Sequence, residues 1–165
     1  LIKLGIEPIE TRTGNSYTKK ISYENDYPFG GEYSGHLYFR DKFIGNDDGI
    51  YGGLRLVEIL SNKKTTVSEE LKGISVYYSS PEVKLTVEDS KKANIIDRVE
   101  EHVKNKGYTY HTIDGVKVIY PDGFALIRKS NTGPNIITRY ESKDKEKLKQ
   151  IEEEFTSLLN KLKEE

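Results

Sequence analysis

The second half of this 165-residue chain predicts an α+β domain in which a four-stranded antiparallel sheet carries two helices on one face. Three observations carry that expectation. Apolar and polar residues alternate in "EVKLTVED" (82–89) and again across residues 108–142. In the latter stretch Asp114-Gly115 and Asp122-Gly123 mark tight turns. Two further stretches, "SKKANIIDRVEEHVKNKG" (90–107) and "KDKEKLKQIEEEFTSLLNKLKEE" (143–165), repeat their apolar residues at helical spacing, the first with Ser90 as its cap and Gly107 as its stop. The resulting order is β-α-β-β-β-α, and the charged end of the last helix reads as its solvated face.

The first half is less regular. "IEPIETRTG" (6–14) reads as a short strand running into a loop at Gly14, and "SYTKKISYEN" (16–25) as one or two helical turns. "YPFGGEYSGHLYFRD" (27–41) has the look of a strand interrupted by a glycine-rich loop. "NDDGIYGGLRLVEILSN" (46–62) places Ile50, Leu54, Val57 and Leu60 at helical spacing behind Asp47 or Asp48 as N-cap. Its paired glycines, Gly52 and Gly53, imply close packing against a neighbour. The polar stretch from 66 to 76 is the expected boundary and hinge between two domains.

Composition narrows the function classes. Hydrophobic residues make up 35% and charged residues 32%, enough for a core beneath a very polar surface. Lys+Arg 26 against Asp+Glu 27 leaves a net charge of -1, which argues against a partner nucleic acid or membrane held by bulk charge. Any anion site must be local. The chain has no Cys, so disulfide and thiolate chemistry are excluded and a cytoplasmic location is the simplest expectation. No apolar run approaches the roughly 18 residues that span a bilayer, and no signal-peptide pattern opens the chain. Met is absent too, and the sequence opens at Leu1 inside what reads as the end of an amphipathic segment, so a piece of a longer polypeptide is expected.

Two loops concentrate chemistry. "RKSNTGP" (128–134) puts the planar donor fork of Arg128 beside the hydroxyls of Ser130 and Thr132 and the amide of Asn131, on a Gly-Pro turn. An exposed loop of this kind suits a phosphate dianion, and its backbone N–H groups can add an anion nest. The plainer alternative is a hairpin loop with its arginine paired to a surface carboxylate. "GGEYSGH" (30–36) combines Glu32, Ser34 and His36 with glycines that let backbone approach a ligand. An acceptor-only carboxylate beside a hydroxyl matches vicinal sugar hydroxyls, each of which donates and accepts; the alternative is a glycine-rich turn with an exposed His. Asp47 and Asp48 read as capping and dipole partners rather than metal ligands, and His102 and His111 as surface residues.

Taken in order, "TRTGNSYTKK", "FGGEYSGHLYFRD", "DDGIYGGLRLVEIL", "DGVKVIYPDGFALIRKSNTGP" and "ITRYES" resemble the α-D-phosphohexomutase superfamily, specifically bacterial phosphomannomutase/phosphoglucomutase. The resemblance covers essentially the whole chain. It implies the end of an α/β domain, the third of the family's four, over residues 1–70 and the whole fourth domain over 76–165. It assigns sugar binding to Glu32, Ser34 and His36 and phosphate binding to Arg128, Ser130, Asn131 and Thr132. The implied chemistry interconverts hexose 1- and 6-phosphates of glucose or mannose through a phosphoserine and a bisphosphate. The family's serine loop and Mg2+ loop belong to upstream domains and have no counterpart here, so Mg2+ is expected in the full-length parent and not on this piece, which alone is expected to be inactive. Asn15 stands where close relatives often carry His, which leaves His36 as the acid/base candidate, a simple sugar contact being the alternative. Asn131 with Gly133-Pro134 fits the mannose/glucose group better than the phosphoglucosamine mutases. The competing readings are a phosphoglucosamine mutase fragment and a stand-alone, non-catalytic phosphosugar-binding module.

Overall fold

The structure, a computed structural model, describes residues 1–164, the side chain of Lys3 excepted. The chain divides between Ile74 and Ser75 into two compact units.

The first unit contains α1 (Asn15–Glu24), β1 (Phe29–Gly31), β2 (Leu37–Phe39), α2 (Gly49–Lys63) and α3 (Val67–Glu70). Strands β1 and β2 form an antiparallel hairpin with Gly30 opposite Tyr38. Glycine is needed at that place: a Cβ on Gly30 would lie 2.9 Å from Thr18 Cγ2, so α1 packs onto the hairpin through the missing side chain. Helix α1 runs for ten residues, longer than the one or two turns its sequence suggests. Of the two glycines in α2, Gly52 faces Leu37, whose Cδ1 would be 3.0 Å from an added Cβ, whereas Gly53 has nothing within 4 Å. The hairpin therefore lies on the Gly52 side of α2, and the stripe that announced the helix, Ile50, Leu54 and Val57, is exposed. Residues 6–14 form no strand, because no neighbouring strand among the described residues offers a backbone partner. In the polar stretch a capping box opens α3, with the Glu69 amide donating to Thr66 Oγ1 and the Thr66 amide to Glu69 Oε2.

The second unit contains β3 (Tyr78–Ser79), β4 (Val83–Thr86), α4 (Lys92–Asn105), β5 (Tyr110–His111), β6 (Val116–Tyr120), β7 (Gly123–Lys129), β8 (Asn135–Ser142) and α5 (Lys145–Glu164). The sheet runs β3-β8-β7-β6-β5, with β4 also paired to β8, and its ladders are antiparallel. It has six strands rather than the expected four. Strands β3 and β5 hold two residues each, too few to show as alternation. Glu165, the last residue of the expected closing helix, lies outside the described residues.

One face of this sheet makes the core. Ile95, Val99 and Val103 of α4 and Ile151, Phe155 and Leu159 of α5 pack on Val116, Val118, Ala125, Ile127, Ile136 and Tyr140. Burying each such large side chain stabilises the fold by ~1.5–3 kcal/mol, which explains why both helices settle on the same face. Strand alternation sends Lys117, Leu126, Arg128 and Arg139 to the opposite face. Ser90 does not cap α4, since a 3-10 turn over Asp89–Lys91 intervenes and Lys91 precedes the helix without a side-chain cap bond. Gly107 ends the helical segment at φ 70, as its sequence position implies. His102 is no free surface residue: its Nε2 lies 2.9 Å from Glu154 Oε1, and the Tyr108 hydroxyl donates to the same carboxylate. His111 is half-buried in β5.

Candidate functional site

The two clusters singled out by sequence fall in different units. In the first, residues 32–36 are the hairpin connection of β1 and β2. The Glu32 amide donates to the His36 carbonyl and the Gly35 amide to the Glu32 carbonyl, both at 2.9 Å, with Gly35 at φ 90 where a side chain would be strained. This tight turn presents Glu32, Ser34 and His36 on one short loop, with Ser34 and His36 exposed and Glu32 half-buried.

Glu32 and His36 are each held by a neighbour. The hydroxyl of fully buried Tyr38 donates to Glu32 Oε1 at 2.9 Å. Burial first, and then the Glu32 carboxylate, push the Tyr38 hydroxyl above its ordinary pKa, so it remains a donor at neutral pH. His36 Nδ1 lies 2.5 Å from Asp47 Oδ2. In the tautomer that donates Nδ1–H to Asp47, Nε2 is the nitrogen left facing away from that contact. Asp48, next in sequence, accepts the Tyr51 amide at 2.9 Å and caps α2. The Asp pair thus splits: Asp48 caps, as expected, while Asp47 pairs with the imidazole. The sequence signal was faint, an aspartate one position before an N-cap. Asn15 is the first, exposed residue of α1.

In the second unit the structure corrects the picture of an exposed arginine. Arg128 is the penultimate residue of β7, only 8% exposed, and Ser130 is 9% exposed, while Asn131 and Thr132 are exposed on the loop between β7 and β8. Its neighbours bury Arg128: across the ladder it pairs with Ile137 of β8, and on its other side the turn at Gly115, before β6 begins, closes against it. Its Nε lies 3.7 Å from Asp114 Oδ2, and its Nη1 reaches the Lys129 carbonyl at 3.4 Å. Asp114 belongs to the β5–β6 turn, and Gly115 lets that turn close on Arg128: an added Cβ would sit 2.6 Å from Arg128 Cα. Loop closure is by backbone. The Ser130 amide donates to the Asn135 carbonyl at 2.9 Å, the Asn135 amide to the Gly133 carbonyl at 2.8 Å, and the Thr132 amide to Ser130 Oγ at 3.3 Å.

Sequence reasoning passed over two further cations on this sheet face. Arg139 is 8% exposed, with Nη2 3.6 Å from Glu141 Oε2. Burial lowers the pKa of Lys117, opposed by the Glu141 carboxylate. Cations at alternate strand positions, out of phase with the apolar core residues, were the available signal. For divalent metal the fit is poor: Asp47 and Asp48 are turned to different partners, and among the described residues no group of three or more His, Cys, Asp or Glu converges.

Two family models match the chain. The family model described as "Phosphoglucomutase/phosphomannomutase, alpha/beta/alpha domain III" matches residues 1–77, and that for the family's C-terminal domain matches residues 82–158. The chain belongs to the phosphoglucomutase/phosphomannomutase family of the α-D-phosphohexomutases, and corresponds to its C-terminal part. It is 35% identical over 158 residues to a phosphomannomutase/phosphoglucomutase of Pseudomonas syringae, covering 96% of this chain and 34% of that protein. It is 36% identical over 157 residues to a phosphoglucomutase of Neisseria meningitidis, again covering 34% of the relative. A crystal structure of a phosphoglucomutase/phosphomannomutase family protein from Burkholderia thailandensis superposes with a TM-score of 0.84 at 37% identity, over 98% of this chain and 34% of that one. The chain therefore spans about a third of the length of these relatives.

Proposed function

We propose that this chain supplies the sugar-recognition and distal-phosphate parts of a mutase that interconverts hexose 1-phosphate and hexose 6-phosphate. In this reading the phosphoserine and Mg2+ chemistry belong to upstream domains of a longer polypeptide, and no step below passes through the metal. The carrying observation is the built loop after β7, where a buried guanidinium stands at the base of a turn closed by its own backbone.

The division of labour follows from donor and acceptor inventory. Glu32, fixed at one oxygen by Tyr38, has remaining lone pairs to accept from sugar hydroxyls, and Ser34 is able both to donate and to accept. His36, with Nδ1 committed to Asp47, holds Nε2 as the acceptor for a sugar hydroxyl proton. Arg128 offers its fork, Ser130 and Thr132 their hydroxyls and Asn131 its amide to a phosphate whose oxygens are equivalent in either substrate orientation. A mutase has to hold both orientations in turn, so its distal anchor must read phosphate and ignore the ring.

Arg128→Lys tests the reading, since it keeps the charge and loses the fork. Binding of glucose 1-phosphate and of glucose 6-phosphate should weaken by similar factors, about tenfold to a hundredfold in isothermal titration. Because Arg128 is buried, some loss of thermal stability should accompany it. Equal affinities in parent and variant, or a loss confined to one isomer, would overturn the shared-anchor role.

A further inference from the structure

We propose that Lys92 is a positioning residue for the phosphate loop, stapling it to the start of α4; this rests on the phosphate-anchoring role given to that loop above. Lys92 is the first residue of α4, where a cation opposes the helix macrodipole. Its side chain is nevertheless only 15% exposed. The ammonium donates to the Ser130 carbonyl at 3.1 Å and to the Gly133 carbonyl at 3.0 Å, and it lies 2.8 Å from Asp89 Oδ1. Three acceptors thus match the three donors of an ammonium group. Asp89, on the preceding 3-10 turn, offsets the charge, so the contribution of Lys92 is geometric more than electrostatic.

The geometry bears on anion binding through the peptide planes. In a trans peptide the carbonyl and the following N–H point to opposite sides. Holding the Ser130 carbonyl on Lys92 therefore aims the Asn131 N–H away from α4, and it keeps the negative end of that peptide dipole off the face where the loop side chains of Asn131 and Thr132 are exposed. The Gly133 carbonyl is followed by Pro134, which has no N–H, so anchoring it fixes the far end of the loop without spending a donor. Between these two anchors lie Asn131 and Thr132. Without the staple the Ser130 carbonyl loses its charged donor and is free to rotate toward an incoming phosphate, which it would repel, while the Gly133 carbonyl is left with the Asn135 amide as its donor.

The test uses the whole chain, with Lys92→Met, which keeps the apolar stem and removes the donors, and Lys92→Arg, which returns a cationic donor. Amide hydrogen exchange of the free proteins reads the staple directly: Ser130 and Asn135 should exchange about tenfold faster in Lys92→Met, and core amides of β7 and β8 unchanged in protection certify the fold. Titration with glucose 1-phosphate should then show about tenfold weaker binding for Lys92→Met and recovery to near the parent value for Lys92→Arg. Parent and Lys92→Met binding equally well would overturn the positioning role alone. Faster loop exchange with unchanged affinity, or no recovery in Lys92→Arg, would overturn it likewise. A parent chain that fails to bind glucose 1-phosphate at all, with the loop amides still protected, would instead bring down the phosphate-anchoring reading on which the proposal stands.

Discussion

Replacing Gly115 with Ala measures how tightly the β5–β6 turn closes on the arginine strand. Two penalties combine at this position. Gly115 has φ 75, and a non-glycine residue in that region costs ~1–2 kcal/mol. In addition the new Cβ would meet Ile127 O at 2.3 Å, Arg128 Cα at 2.6 Å and Arg128 Cβ at 2.8 Å, two of them backbone atoms that cannot swing aside. Overpacking of this kind adds ~1–3 kcal/mol. Gly107 supplies the control, with φ 70 but nothing within 4 Å of an added Cβ. Gly107→Ala should therefore lose about 1–2 kcal/mol and Gly115→Ala about 2–5 kcal/mol, against a total of ~5–15 kcal/mol for a typical domain. Urea unfolding followed through amide resonances of β6, β7 and β8 measures both variants on the same unit. Losses that agree within ~0.5 kcal/mol would refute the close approach, since strain alone would then account for both. Gly115→Ala should also shift Asp114 from Arg128 and weaken phosphate binding, while Gly107→Ala should not.

Tyr38→Phe removes the donor that holds Glu32, and losing a hydrogen bond to a charged group costs ~1.5–3 kcal/mol; hexose phosphate affinity should fall while affinity for inorganic phosphate stays put, and an equal fall in both would refute the assignment. Burial raises the Tyr140 hydroxyl to about 12, so the folded state keeps that proton where the unfolded chain, near pH 10, releases it. The stabilisation is thus complete below about pH 10 and lost as pH climbs toward 12, and Tyr140→Phe should flatten the alkaline fall in urea midpoint; an unchanged slope would remove this cause. On its own the chain should give no turnover of glucose 1-phosphate or mannose 1-phosphate with Mg2+ in a coupled assay, and turnover above a blank free of host mutase would contradict the division of labour proposed here.

Features with a local cause were legible in the sequence. The spacing of Ile95, Val99 and Val103 and of Ile151, Phe155 and Leu159 marked helical faces because side chains three and four residues apart lie together. Gly107, Gly115 and Asp48 were legible because a positive φ or an orphan amide demands few residue types. What depends on a partner far along the chain was not. Strands β3 and β5 exist only through their pairing with β8 and β6, and the burial of Arg128 follows from its place in a sheet rather than from its neighbours in sequence. The Asp47–His36 contact spans eleven residues and the Lys92 contacts about forty, beyond any periodic signal. The Ile50, Leu54 and Val57 stripe read correctly as helix and yet is exposed, because amphipathic spacing says which face is apolar and not what covers it.

Under the proposed function the two loops face unlike tasks, and their construction differs in the corresponding way. Sugar hydroxyls are weak, directional partners, so a loop that reads them needs side chains held at fixed angles. That is what the first unit provides, where Tyr38 fixes one oxygen of Glu32 and Asp47 fixes one nitrogen of His36, each leaving its other atom for the ligand. A phosphate is a strong, nearly isotropic partner, and its anchor must work for a substrate presented from either end. There the stringent requirement falls on the backbone, which must keep its carbonyls turned away from the anion. The second unit meets it with bonds to the loop backbone at both ends, the Ser130 amide on the Asn135 carbonyl and the Lys92 ammonium on the carbonyls of Ser130 and Gly133. Substitutions at the side-chain supports of the first loop should therefore change which sugars bind, whereas substitutions at the backbone supports of the second should change how tightly every hexose phosphate binds, by a common factor.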